Sequence, residues 1–271
     1  MSKEADINAS YADRMAAEHA DDDGTQVNPL ALEAPPENDD SLVRTSAVSF
    51  ARYNGYLAQP AALADNQLLP CVIVVHEWWG LNPQIKGVAR QLALQGYRAL
   101  AVDLYGKPAT SEVKTARKYM KECFKVKDEY CMDCLKQAVE YLQRQQSSLK
   151  IGVVGWCLGG MFSLQLALSM PSAIQACVVY YGNLETDIEK LKLLETPVLG
   201  IFGGADRGIP LDSVRAFETA LETLDKHHEI HVYPEADHAF CNPSGNHYQE
   251  KEARDAWNKM LVFLSTYQKD E

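Results

Sequence analysis

The fold is decided by residues 151–160, Ile-Gly-Val-Val-Gly-Trp-Cys-Leu-Gly-Gly. An apolar run at 151–154 leads into Gly-x-Cys-x-Gly, and helix-forming residues follow at 161–168. A strand, a sharp turn and a helix in this order have the layout of a nucleophile elbow, which places Cys157 at the tip of the turn. Flanking glycines suit such a strained turn, where the helix packs close to the strand. A buried structural cysteine in a Gly-rich turn is the alternative, so residues elsewhere must decide.

Apolar segments and helical patterns alternate along the rest of the chain. Further buried strands are predicted at 68–75, 97–104, 176–180, 198–202 and 229–233. Amphipathic helices are predicted from two apolar stripes, Val214-Phe217-Leu221-Leu224 and Ala253-Trp257-Met260-Leu264. Repeated strand–helix units predict an α/β fold with a mostly parallel central sheet and helices on both faces.

Two segments precede this alternation. Residues 47–53 and 55–58 alternate like strands around Asn54-Gly55, which predicts an antiparallel hairpin at the N-terminal edge of the sheet. Residues 1–45 are predicted to be an acidic extension, and residues 46–271 the α/β domain. Residues 1–40 hold eleven acidic and two basic residues. Ile7, Tyr11 and Met15 allow one short amphipathic helix there, and packing onto the domain and solvated disorder are equally compatible with the sequence.

Composition limits the function classes. The net charge is −11, and because most of it lies in the extension, neither a basic nucleic-acid surface nor a basic membrane patch is visible. No apolar run reaches the length of a membrane span. The seven cysteines are an odd number in a long chain, which favours reduced thiols and a cytoplasmic location. We expect a monomer or a homodimer that uses no cofactor and no metal.

A nucleophilic cysteine needs a base and a partner that orients the base. Asp206 lies in the loop after the strand at 198–202, and His238 follows the strand at 229–233. The chain order Cys157, Asp206, His238 is the nucleophile–acid–base order of the α/β-hydrolase fold. Asp237 is a rival acid, but neighbours in sequence seldom aim their side chains at one another.

The strand ending at 75 is followed by His-Glu-Trp-Trp-Gly. Zinc is not expected there, since no second histidine stands at the required helical spacing. The loop instead has the position of an oxyanion loop. The backbone N–H groups of Trp78 and Leu158 are therefore the candidates for stabilising a developing oxyanion.

Together these motifs resemble the dienelactone hydrolase family of α/β-hydrolases, and the resemblance covers residues 46–268. It implies a catalytic triad of Cys157, Asp206 and His238, with Glu77 holding the resting thiol and moving aside when substrate binds. The motifs that carry the resemblance are residues 75–82, 103–106, 155–160, 180–182, 203–206 and 233–240.

The chain departs from the family at the substrate carboxylate. Members that hydrolyse dienelactone are expected to bind it with two arginines, at positions that hold Lys107 and Asn242 here. Lysine lacks the planar guanidinium group with which arginine binds a carboxylate through two hydrogen bonds, and asparagine has no charge. We place both residues with Trp79, Tyr105 and Tyr181 in the substrate pocket, and the tryptophans suggest an apolar acyl or alcohol group.

Two functions follow. The first is a hydrolase of carboxylic esters or lactones that works through an acyl-enzyme on Cys157. The second is a non-catalytic small-molecule-binding protein or thiol sensor on the same fold, which the loss of both arginines motivates and a complete triad opposes.

Overall fold

The computed structural model describes residues 3–19, 41–62, 68–145 and 150–269. Within them the chain forms one eight-stranded sheet. The strands are β1 (Val43–Phe50), β2 (Tyr53–Pro60), β3 (Cys71–Val75), β4 (Arg98–Val102), β5 (Ile151–Trp156), β6 (Ala176–Tyr180), β7 (Val198–Gly203) and β8 (His228–Tyr233). The helices are α1 (Lys3–Glu18), α2 (Pro83–Leu94), α3 (Val113–Lys125), α4 (Asp133–Gln145), α5 (Leu158–Ser169), α6 (Ile188–Leu191), α7 (Leu211–Thr223) and α8 (Glu250–Gln268). A π-helical turn, Lys127–Met132, joins α3 to α4.

The strand order is β1-β2-β4-β3-β5-β6-β7-β8. β2 pairs antiparallel with β1 and β4, and the remaining pairs are parallel. Every residue of β3, β5, β6 and β7 is buried, because helices cover both faces of the central sheet. The predicted α/β fold with an antiparallel N-terminal edge is confirmed. None of the helices in the described ranges is both long and apolar enough to span a bilayer.

The edge hairpin turns at a different place from the one predicted. Ala51 and Arg52 form the turn, with Ala51 at a φ of 51°, whereas Asn54 and Gly55 lie inside β2. Gly55 pairs with Val48 on one side and with Val102 on the other. A β-carbon at Gly55 would lie 2.8 Å from a backbone oxygen of β4. The glycine therefore serves close strand packing rather than the turn.

The strand-to-helix turn at Cys157 has the predicted strain. Cys157 has a φ of 55° and a ψ of −116°, and α5 begins at the next residue. A β-carbon at Gly155 would lie 2.2 Å from the carbonyl oxygen of Gly159, and one at Gly159 would lie 2.2 Å from that of Val75. Glycine is required at both positions because backbones of β3, β5 and α5 meet there without room for a side chain.

The N-terminal segment forms helix α1, which packs on the body of the protein. Tyr11 and Met15, two residues of the predicted apolar stripe, are fully buried. Of the two possibilities left open by the sequence, packing is therefore observed for α1. Residues 20–40 lie outside the described residues, and the predicted domain boundary at residue 45 stays a prediction.

The cysteines differ from expectation at one pair. Cys123 and Cys131 are paired as a disulfide, so the prediction of reduced thiols is wrong for these two. They meet because the π-helical turn folds back against the end of α3. The other five cysteines are free and buried.

Gly155→Ala is expected to lower the free energy of unfolding by about 3 kcal/mol, because the new methyl group overlaps the backbone of α5. Gly96→Ala is the control. Its β-carbon has nothing within 4 Å, but its φ is 87°, so only the left-handed backbone penalty of about 1–2 kcal/mol applies. Urea unfolding of both variants tests this, and an equal or smaller loss for Gly155→Ala would contradict it.

Candidate active site

The carboxyl ends of three parallel strands of the sheet bring the predicted triad residues together. Cys157 follows β5, Asp206 follows β7 and His238 follows β8, as expected for ligand sites on open α/β sheets. The carboxylate Oδ2 of Asp206 lies 2.7 Å from Nδ1 of His238, and both side chains are completely buried. The other oxygen of Asp206 accepts a hydrogen bond from the backbone N–H of Ile209 at 2.8 Å, which fixes the carboxylate.

The rival acid has a different role. The Asp237 carboxylate accepts a hydrogen bond from the backbone N–H of His238 at 2.8 Å. It therefore shapes the loop, while Asp206 is the carboxylate that bonds to the imidazole ring.

A second histidine, which sequence reasoning missed, completes the site. The sulfur of Cys157 and one ring nitrogen each of His19 and His238 lie within 4.8 Å of one another. His19 follows α1 and stands four residues after Met15, so it continues the Ile7–Tyr11–Met15 spacing. This four-residue spacing was the feature of the sequence that could have placed His19 on the same helical face as Tyr11 and Met15. Three such donors can also hold a metal ion, and the predicted absence of a metal stays a prediction.

The charges of the site favour an ion pair at rest. Burial opposes ionisation of the Cys157 thiol, but the neighbouring imidazoles of His238 and His19 outweigh it and lower the pKa from 9.0 to about 6. Burial likewise opposes protonation of His238, yet Asp206 and Cys157 raise its pKa well above 6.5. Both shifts favour the thiolate and the imidazolium, the reactive form of a Cys–His pair.

Glu77 lies at the same site, buried after β3. Its carboxylate accepts hydrogen bonds from the hydroxyl of Tyr181 at 3.3 Å and from the side-chain amide of Asn242. The resemblance implied that Glu77 holds a protonated resting thiol, whereas the lowered pKa of Cys157 favours the thiolate. The role of Glu77 as the thiol's partner stays a prediction.

The two residues at the expected arginine positions are engaged in other contacts. Asn242 is buried and donates to Glu77, and its oxygen accepts from the backbone N–H of Ser244 at 2.8 Å. Lys107 forms an ion pair with Glu122 at the side of a cleft of about 250 Å³. Asn242 therefore bonds to Glu77 and Lys107 to Glu122, and the placement of both residues in the substrate pocket stays a prediction.

Aromatic side chains pack against the ring of His19, which lies beside the Cys157 sulfur. Trp78 and Trp79 are buried, and the His19 ring centroid lies 4.9 Å and 5.7 Å from theirs. The hydroxyl of Tyr105 donates to the carbonyl of Trp78 at 3.1 Å.

Leu158 is the first residue of α5, so its N–H lies in the helical turn that has no intrahelical acceptor. Its predicted oxyanion role, shared with Trp78, is compatible with this position.

Comparison with known proteins gives one family. Residues 53–268 match the sequence profile of the Dienelactone hydrolase family. A carboxymethylenebutenolidase homologue from Salmonella typhimurium is 33% identical over 226 residues, covering 78% of this chain and 82% of its own. Another from Methylorubrum extorquens is 31% identical over 255 residues, covering 89% and 87%.

Solved structures agree. A structure described as a dienelactone hydrolase from Klebsiella pneumoniae subsp. pneumoniae has a TM-score of 0.74 and 30% identity, covering 83% of this chain and 99% of its own. A dienelactone hydrolase-like promiscuous phosphotriesterase from metagenomic libraries has a TM-score of 0.76 and 21% identity, covering 84% and 100%. The second likeness concerns the fold alone.

The ionisation of Cys157 can be measured directly. The ultraviolet absorbance of the Cys157 thiolate is the difference between wild-type protein and Cys157→Ser. This difference is expected to titrate with a midpoint near pH 6, because the thiol is protonated at lower pH. His19→Gln is expected to move the midpoint upward, because it removes one of the imidazoles that stabilise the thiolate. A midpoint near the ordinary value of 9.0 in the wild type would contradict the ion pair.

Proposed function

The chain belongs to the dienelactone hydrolase family and is a hydrolase of that type; from this premise we propose that it hydrolyses carboxylic esters or lactones through an acyl-enzyme on Cys157. One observation carries the proposal. A buried thiol with a lowered pKa stands beside an imidazole whose far nitrogen lies 2.7 Å from a carboxylate. These groups have the roles of nucleophile, base and orienting acid.

In acylation, the Cys157 thiolate attacks the substrate carbonyl carbon. A carbon–sulfur bond forms, and the carbonyl electron pair moves to the oxygen. When the intermediate collapses, the carbon–oxygen bond to the alcohol breaks and the His238 imidazolium gives its proton to the leaving alkoxide. Asp206 holds the ring in the orientation that this transfer needs and stabilises its charged form.

In deacylation, neutral His238 takes a proton from water while the water oxygen attacks the thioester carbonyl. The carbon–sulfur bond then breaks, and the acid and the Cys157 thiolate are released. We assign the backbone N–H groups of Trp78 and Leu158 to the oxyanion in both steps. Fixed donors in a water-poor site stabilise developing charge strongly.

The substrate class proposed is an uncharged ester or lactone. The two positions that would bind a carboxylate hold Asn242, which donates to Glu77, and Lys107, which pairs with Glu122. The buried aromatic side chains of Trp78 and Trp79 favour apolar groups. A small apolar ester should therefore bind better than its carboxylate-bearing analogue.

The remaining assignments follow from the same site. All three triad groups come from one chain, so either a monomer or a homodimer would be active. Five of the seven cysteines are free, which supports the cytoplasm as the proposed compartment. The lowered pKa of Cys157 also suits the alternative, a thiol sensor.

Cys157→Ala is expected to lower kcat/KM for p-nitrophenyl butyrate at least about 1,000-fold, because no nucleophile remains. Asp206→Asn is expected to lose about 100-fold or more through misorientation of His238. Cys71→Ala is the matched control, since Cys71 is a buried free cysteine with a pKa raised by burial to about 12. Wild-type turnover by Cys157→Ala would contradict the mechanism, and oxidation of Cys157 without turnover of an ester and lactone panel would favour the sensor.

A further inference from the structure

Helix α1 lies directly on the nucleophile. The thioether sulfur of Met15 is 3.6 Å from the Cys157 sulfur, and the hydroxyl of Tyr11 is 3.9 Å from it. His19 follows the helix and packs on Trp78, with ring centroids 4.9 Å apart. One face of α1 is therefore part of the active site.

With α1 in this position the substrate cannot reach the sulfur. Cys157 and His238 have no exposed surface. Attack requires the carbonyl carbon to approach the sulfur to roughly 3–3.5 Å, and Met15 already lies at 3.6 Å. An acyl group and the Met15 side chain therefore compete for one place.

The space that Met15 fills is formed partly by a missing side chain. A β-carbon on Gly208 would lie 2.2 Å from the terminal methyl of Met15. Gly208 belongs to the loop after β7 that also carries Asp206. A side chain at position 208 would therefore displace Met15 from its place beside the triad.

Outside the site, α1 is held by exposed polar contacts and by apolar packing, in which Ala12 is buried and the Tyr11 ring lies 6.3 Å from that of Phe124 on α3. The Asp13 carboxylate pairs with Arg117 at 2.7 Å and with Lys121 at 2.8 Å, both on α3. All three side chains are 40–52% exposed, and Arg14 donates to the carbonyl of Gly208 at 3.2 Å. Exposed ion pairs contribute little to stability, so these polar contacts are a small part of what holds α1 in place.

We propose that α1 is a built-in occupant of the active site, with Met15 in the place that the acyl group of the substrate must take, and that hydrolysis requires α1 to move away. The inference rests on the proposed function for its substrate but not for its geometry. A closed form that excludes substrate raises the apparent KM by the inverse of the open fraction and leaves kcat unchanged.

The first test weakens the hold on α1 in the full chain. Asp13→Asn removes the charge with little change of shape, and Asp13→Lys reverses it against Arg117 and Lys121. The KM for p-nitrophenyl butyrate is expected to fall about two- to ten-fold, further in Asp13→Lys than in Asp13→Asn, with kcat unchanged. Glu140→Gln, which breaks the exposed Glu140–Arg144 pair on α4, is the matched control and should leave KM as it is.

A second test does not depend on hydrolysis. Alkylation of Cys157 by iodoacetamide, followed by peptide mass spectrometry, is expected to be faster in Asp13→Lys and Met15→Ala than in the wild type and Glu140→Gln. Unfolding midpoints confirm that each variant is folded.

The outcomes separate the two proposals. Faster alkylation without any ester hydrolysis would leave α1 as the cover and reject the hydrolase mechanism. Unchanged KM and unchanged alkylation in both Asp13 variants would contradict the proposal that α1 covers the active site. A lower kcat in these variants would also contradict it, because α1 would then be required for catalysis.

Discussion

The backbone turn at Cys157 is the constraint on which the rest of the site depends. A residue with a side chain holds a φ of 55° only where its surroundings enforce it. Here Gly155 and Gly159 let β5, α5 and β3 approach closely enough to do so. The turn presents the sulfur at the carboxyl edge of the parallel sheet, and the loops after β7 and β8 bring Asp206 and His238 to the same edge. Sheet geometry therefore sets the spacing of the proposed triad.

That dependence explains what could be predicted from the sequence. The elbow is a local motif, and the positions of Asp206 and His238 follow from strand order, so residues far apart in sequence could be placed together. The position of the hairpin turn could not be predicted, because Gly55 is required for close packing against β4. Local turn preferences contain no information about that contact. The contacts of His19 and Met15 with the active site were missed for a similar reason. The spacing of Ile7, Tyr11 and Met15 allowed a short helix, but only the tertiary structure shows which surface α1 covers.

The resting site contains contacts that the resemblance did not imply. Glu77 bonds to Tyr181 and Asn242, while the sulfur contacts Met15 and faces two imidazoles. A thiolate is thereby stabilised in a site that α1 closes to solvent, which would limit side reactions of a nucleophile ionised at neutral pH. Asn242 in place of an arginine fits this arrangement, because an uncharged amide can hold Glu77 without adding a cation to the pocket.

The acyl-enzyme is the central claim, and rapid quenching tests it most directly. Wild-type protein would be mixed with p-nitrophenyl butyrate, quenched in acid within the first turnovers, and digested for peptide mass spectrometry. The account predicts a butyryl adduct on the peptide that contains Cys157, formed and lost at rates consistent with turnover. Turnover with no adduct, or with the adduct on another residue, would contradict it.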